Sequence, residues 1–403
     1  MKLSRCLAVS MLLFLCLQLT APFASAAPAQ QPTINVYNWG MYISDGSNGS
    51  IDVNKAFTEA TGIKVNYTTF DSNETMYTRL KSGGTNYDVI IPSDYMVARL
   101  IEEDMLSPLN FDNIPNYKNI DESFRNQNYD PENQYSVPYT WGTVGLIYNT
   151  KYVTEPVNSW RLMWDSKYAG KTLMFDNPRD SFAIAELLLG YSINTEKDEE
   201  LRAATEELKR QKPVVQSYVM DQIFDSMVNE EAWIGAYYAG DYLTMKAEND
   251  NLAFCFPDEG FNMFIDAMCI PKNATNKAAA EAYINFLCSP EISGQNMDAL
   301  GYSTPISAAK EYMDPEVANS EIAYPSAETL ARGSSFMNLS ADTTQNMENL
   351  WLEVKTDTSE TGSTNLLLYA GIAVLAALVV VLVLMNQRKK KRMAARRNAT
   401  GGK

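Results

Sequence analysis

"IKVNYTTFDSNETMYTRLKSGGTNYDVIIPS", residues 63–93, decides the fold class of this 403-residue chain. Its first eight residues alternate like a half-buried strand. Asp71 and Glu74 then stand at the spacing of a helix capping box, and Gly83-Gly84 closes the helical stretch. "YDVIIPS" (87–93) reads as a buried strand. Just upstream, "TINVYNW" (33–39) is a short β-rich run. "DVNKAFTEATG" (52–62) places Val53, Phe57 and Ala60 at helical spacing, with Gly62 as the C-terminal cap. The order β-α-β-α-β predicts a parallel sheet of an α/β protein.

The pattern continues on both sides of a second half. "YSVPYTWGTVGLIYN" (135–149) is strand-like, punctuated by Pro and Gly, and "DNPRDSFAIAELLLGYS" (176–192) is a turn leading into a helix. "DEELRAATEELKRQK" (198–212) is an amphipathic helix. "EEAWIGAYYAGDY" (230–242) runs from a strand into a helix, and "NMFIDAMCIP" (262–271) is a strand. Two helices follow, the second opened by Ser289 as cap and Pro290 at its first position. The chain is long enough for two lobes with real cores.

Both ends read as membrane-related. Residues 1–26 have the charged start (Lys2, Arg5), the apolar run and the Ala24-Ser25-Ala26 cleavage site of a secretory signal. Residues 366–385, "LLLYAGIAVLAALVVVLVLM", carry no charge. At about 1.5 Å per residue they span roughly 30 Å, the thickness of a bilayer core. Seven Lys and Arg fall within residues 388–397, which places the 386–403 tail in the cytoplasm. "KTDTSETGSTN" (355–365) is a polar stalk. The expectation is a single-pass membrane protein whose main domain is exported.

That domain is acidic. Two of the 33 basic residues lie in the signal and eight at or beyond Arg388, leaving 23 against all 49 acids, a net −26. Such a body disfavours nucleic acid and anionic ligands and attracts cations. The chain contains no histidine, which removes His triads and His-based zinc sites. Cys255, Cys269 and Cys288 show no CxxC spacing, so no metal centre or cofactor is expected. Cys255 and Cys269 flank one strand–turn–strand segment, where either a disulfide or free thiols fit.

Polar aromatics and acids gather at strand ends: Trp39 and Tyr42 after the first strand, Ser93, Asp94 and Tyr95 after the third. In open α/β sheets ligands sit beyond the carboxyl ends of strands. Asp180 opens a helix, Asp241 follows Tyr238-Ala-Gly, and Asp266 stands two after Phe264 at a strand end. Asp180 and Asp241 also stand where helix N-caps stand. Acids beside rings, without basic neighbours, suit an ammonium ligand: carboxylates take charge-assisted hydrogen bonds, and each ring face attracts a cation by about 0.5–2 kcal/mol. Carbohydrate is the chemical alternative. A two-carboxylate hydrolase would need one acid of raised pKa, and a membrane-anchored sensor or adhesin is a third class.

Taken in order, "VYNWGMYI", "FTEATGIKVNYTTFDSNETMYTRLKSG", "YDVIIPSDYMV", "YSVPYTWGTVGLIYN" and "GYSTP" resemble the periplasmic spermidine/putrescine-binding proteins of ABC transporters, over roughly residues 33–345. An insertion, "SDGSNGSID", follows the first strand. The resemblance implies a two-lobed periplasmic-binding-protein (type II) fold with a hinge. Its lobes would be 27–138 with 267–312, and 139–266 with 313–354. It also implies a monomeric, non-enzymatic polyamine binder that serves an ABC permease and its ATPase. On the family pattern Trp39, Tyr42, Ser93, Tyr95, Asp180, Tyr238, Asp241, Phe264, Asp266 and Tyr302 line the ligand cleft. Asn177 replaces a family acid, and Phe336 falls where the spermidine branch carries Gln. Asp241 points to the putrescine branch, whereas Asp180 keeps an acid at the far end.

Overall fold

The computed structural model describes residues 31–84 and 86–358. The signal segment, the 366–385 apolar run and the basic tail lie outside them. Among the described residues, no helix is long and apolar enough to cross a membrane.

The opening β-α-β-α-β is present. β1 (Thr33–Trp39) pairs in parallel with β2 (Lys64–Phe70) and with β3 (Val89–Ile90), and the helices Val53–Thr61 and Asn73–Ser82 make the crossovers. β3 is shorter than its sequence suggests: beyond Ile90 the pairing thins to single bonds, the Ile91 N–H to the Tyr37 carbonyl at 3.3 Å and the Ala267 N–H to the Pro92 carbonyl at 3.0 Å, and Pro92 has no N–H to extend the ladder. The second helix is not capped by Asp71. Ser72 is the N-cap and accepts from the Thr75 N–H, which frees Glu74 for another role.

β4 (Ser136–Asn149) and β9 (Phe261–Cys269) run antiparallel and carry the chain between two cores. Val137 and Tyr139 of β4 pack with Ile34, Val36, Val89 and Met268 in the first core. Val144, Leu146 and Ile147 pack with Leu173, Phe175 and Ile234 in the second. The second lobe repeats the parallel plan: β5 (Thr172–Phe175) lies between β6 (Val215–Val219) and β7 (Ile234–Tyr238). β8 (Leu252–Cys255) pairs with β4, and β10 (Gly333–Ser335) with β9. The strand order β2-β1-β3-β9-β4-β7-β5-β6 thus holds two half-sheets joined at β9 and β4. Near the chain end, Met313 and Ala318 pack on the first core, and the helix Ala341–Thr356 packs on the second through Met347, Leu350 and Val354.

Cys255, Cys269 and Cys288 are free thiols. The strand–turn–strand setting does not pair the first two. Cys255 registers against Leu146 and Cys269 against Ser136, ten residues apart on β4. At about 3.3 Å per residue that is roughly 30 Å, far beyond disulfide reach.

Candidate functional site

The ten side chains Trp39, Tyr42, Ser93, Tyr95, Asp180, Tyr238, Asp241, Phe264, Asp266 and Tyr302 all line one cleft. The topology explains the convergence. β1, β3, β5, β6 and β7 are parallel strands of the two half-sheets, and the chain leaving their carboxyl ends supplies most of the wall. Asp266 and Phe264 come from elsewhere. They are interior residues of β9, at the stretch where it passes from one core to the other, rather than residues of a strand end.

The acids are buried and each meets a tyrosine. The Tyr42 hydroxyl donates to Asp266 Oδ2 at 2.5 Å, Tyr302 to Asp241 Oδ2 at 2.9 Å, and Tyr238 to Asp180 Oδ2 at 3.1 Å. Two more pairs complete the ring: Tyr95 donates to Glu74 Oε1 at 2.8 Å and Tyr237 to Asp221 Oδ1 at 3.4 Å. Asp180, Asp241 and Asp266 are 7%, 8% and 3% exposed. Asp266 Oδ1 has no hydrogen-bond partner among the described residues.

Burial dominates their titration. It pushes Asp241 up to about 8, with the Tyr302 hydroxyl pulling back and the Asp221 charge adding to the rise. It pushes Asp180 and Asp266 up to about 6, again against tyrosine donors. A phenol can satisfy a lone pair but cannot neutralise a charge. A cation among these carboxylates would reverse the shift, because an opposite charge at 4–6 Å favours the ionised form.

Neither candidate N-cap is a cap. Asn177 caps the helix Pro178–Leu188, accepting from the Asp180 N–H at 2.9 Å while its amide donates to Asp180 Oδ2 at 2.9 Å. Tyr238 holds the N-cap position of the helix Ala239–Glu248, with no side-chain capping bond. Both acids are therefore first-turn residues, where the helix dipole favours negative charge. The acids are not wholly without basic neighbours. Arg179 is buried beside Asp180 and its guanidinium lies over the rings of Phe336, at 4.3 Å, and Tyr95, at 5.3 Å. It backs the wall and is not among the residues lining the cleft.

Rings supply the rest of the surface. Trp39 is fixed by its indole N–H to the Ile91 carbonyl at 2.9 Å and leans on Phe70 at 4.6 Å. Tyr238 and Phe264 meet edge to face at 5.5 Å, as do Tyr42 and Tyr302 at 5.0 Å. Asn73 orients Ser93 and Tyr95 through its amide, at 3.1 Å to each. Phe336 also lines the cleft.

Sequence reasoning missed Asp221 and misread Glu74. The strand-end rule would have found Asp221, which lies two residues beyond β6. Glu74 was hidden by its capping-box spacing, because Ser72 does the capping.

Two α/β lobes with parallel half-sheets, joined by crossing strands and closing on a cleft of rings and acids, define a cleft-type solute receptor. Comparison with known proteins agrees. The sequence profile of the bacterial extracellular solute-binding protein family matches residues 53–325. The spermidine/putrescine-binding periplasmic protein of Escherichia coli is 36% identical over 303 residues, covering 75% of this chain and 85% of that protein. A putrescine-binding periplasmic protein of Pseudomonas aeruginosa is 30% identical over 349 residues, covering 82% and 94%. The crystal structure of a spermidine/putrescine ABC transporter substrate-binding protein from Streptococcus pneumoniae superposes with a TM-score of 0.68 at 36% identity, covering 80% and 98%. The chain belongs to the bacterial extracellular solute-binding protein family. It is a binding protein of a transport system and not an enzyme.

Proposed function

We propose that this protein captures a polyamine, putrescine or spermidine, outside the cytoplasm and delivers it to an ABC permease. The observation that carries the reading is the set of cleft carboxylates held by tyrosine hydroxyls rather than by lysine or arginine. The donors fix each acid in place and leave its charge for the ligand. The methylenes lie among Trp39, Tyr42, Tyr238, Phe264 and Tyr302, and the ammonium groups meet Asp241, Asp266 and Asp180, with Ser93 and Tyr95 completing the wall. The names of the relatives from Escherichia coli and Pseudomonas aeruginosa support the same ligand class.

Lobe closure follows from the layout. A ligand that touches both lobes binds the closed form better and shifts the population toward it. The lobe boundaries near Pro138 and Asp266 belong to this proposal, with β4 and β9 as the hinge strands. The 366–385 segment anchors the protein in the membrane, with the domain outside and the basic tail inside. Tethering replaces a diffusional search for the permease with a high effective concentration beside it.

Calorimetric titration of the full chain in detergent with putrescine, spermidine, spermine and a neutral sugar tests the reading. Heat from a polyamine and none from the sugar is expected. A silent titration with all three amines sinks the proposal, and heat from the sugar alone replaces it with a carbohydrate receptor.

A further inference from the structure

Asp221 has no structural duty that accounts for its position. It caps no helix: the helix Ile223–Val228 starts from Gln222 without a side-chain capping bond. Its one tyrosine contact, 3.4 Å from Tyr237, is the longest of the five pairs. The surroundings that shift its titration are burial and the Asp71 carboxylate, both raising it, against the Tyr237 hydroxyl; no lysine or arginine is among them. A half-buried carboxylate with a like charge nearby and no cation is costly unless something else supplies the cation.

Gly40 explains how the carboxylate reaches the cleft. This residue follows Trp39 at the end of β1, in the first lobe, and does not adopt a left-handed backbone conformation, so its torsions do not require glycine. The missing side chain matters for space instead. A Cβ at position 40 would overlap Asp221 Oδ2 and crowd its Cγ at 3.4 Å. Glycine is thus the residue that lets an acid from the second lobe press against the backbone of the first. Gly40 and Asp221 both line the cleft, as does Asp241, whose own titration the Asp221 charge raises.

We infer that Asp221 is a further ammonium acceptor of the cleft, admitted by the gap at Gly40 and acting with Asp241 on one end of the ligand. This rests on the polyamine reading above and adds a contact to it. Two carboxylates then share one terminal ammonium at the Asp241 end, while Asp180 serves the other.

Titration of the full chain with putrescine and with spermidine, for wild type, Asp221→Asn and Gly40→Ala, tests it. Asp221→Asn is isosteric and keeps a group for Tyr237 to meet, and thermal melts without ligand confirm folding. At least a tenfold loss of affinity for both amines is expected from Asp221→Asn, with a loss in the same direction from Gly40→Ala as the new methyl displaces the carboxylate. Affinities within twofold of wild type for Asp221→Asn overturn the inference while the polyamine reading stands. A wild type that binds neither amine overturns both. If Gly40→Ala fails to fold, Asp221→Asn alone decides.

Discussion

The Tyr302 hydroxyl donates to Asp241 Oδ2 at 2.9 Å across the cleft. Tyr302 packs in the first core, and Asp241 sits on a helix whose Tyr242 and Met245 pack in the second, so the bond joins the lobes. Removing the hydroxyl while keeping the ring isolates its contribution. Tyr302→Phe takes away the donor that lowers the Asp241 pKa, so that acid protonates more readily near neutrality. A hydrogen bond to a charged group is worth about 1.5–3 kcal/mol, so polyamine affinity at pH 7 should fall by roughly tenfold or more. Raising the pH to 9 should recover part of the loss, which calorimetry at the two pH values will read. Equal losses at both would mean that the hydroxyl acts by positioning the carboxylate and not by lowering its pKa.

Binding should depend on pH in a defined direction. Asp180 and Asp266 titrate at about 6 and Asp241 at about 8 in the ligand-free protein, against an ordinary value of 3.8. A cationic ligand needs them ionised, so binding expels protons below these values. Affinity should rise between pH 5 and 8 and level off above about 8, roughly tenfold or more in all. Stability of the ligand-free protein runs the opposite way. The folded state holds these protons more tightly than the unfolded chain does. The stabilisation is therefore complete below pH 3.8 and is lost as pH rises through 6 and then 8. For these groups the melting temperature should fall from pH 5 to 8.5, and saturating polyamine should flatten the curve. A ligand-free melting temperature that rises over that window would contradict the buried state of these acids.

The fold was legible because its periodicities are local. The stretch 63–93 carries two strands and a helix, and the structure contains all three. Aromatic–acid neighbours such as Tyr238 and Asp241 were legible for the same reason, as was Ser93 at its strand end, and the family resemblance added Tyr302. What stayed hidden depends on distance in sequence. No local pattern pairs Tyr42 with Asp266, which lie 224 residues apart, or Gly40 with Asp221. Caps misled where two candidates competed: Ser72 displaced Asp71, and Asn177 displaced Asp180. Of the two states left open for Cys255 and Cys269, free thiols hold, because nearness along a turn is not nearness in the sheet. β9 runs on past the turn and carries Cys269 to a separate cluster with Tyr37, Ile90 and Leu100, on the first half-sheet.

Gly240 provides a steric test of lobe contact. A Cβ there would overlap the Tyr302 ring. Gly240→Ala places a better helix former in the first turn of Ala239–Glu248, so intrinsic propensity alone would favour the variant by up to about 1 kcal/mol. The overlap works against it by pushing Tyr302 off Asp241 and wedging the lobes apart. Polyamine affinity should fall at least tenfold with far-UV circular dichroism unchanged, and small-angle scattering with ligand should show a larger radius of gyration than wild type. Wild-type affinity in this variant would show that the ring shifts freely and that its contact with Gly240 has no part in closure.

Asn177 joins helix stability to ligand recognition, and two substitutions separate the roles. Its carbonyl oxygen caps the helix through the Asp180 N–H, and its amide donates to the Asp180 carboxylate. Asn177→Ala loses both. Cap removal costs about 1 kcal/mol, and loss of the amide donor raises the Asp180 pKa further. Melting temperature and polyamine affinity at pH 7 should therefore fall together. Asn177→Asp keeps a competent N-cap but sets a second carboxylate against Asp180. Like charges at hydrogen-bond distance cannot both ionise cheaply, so the pair should share a proton near neutrality. At pH 5 this variant should match wild-type stability, and it should lose stability faster than wild type as the pH rises to 8. A ligand with an ammonium at that end should reverse the loss by taking the place of the shared proton. The decisive measurement is the melting temperature of Asn177→Asp at pH 8 with and without spermidine. A ligand-induced rise no larger than that of wild type would show that Asp180 does not meet an ammonium group, and that Asn177 serves the helix alone.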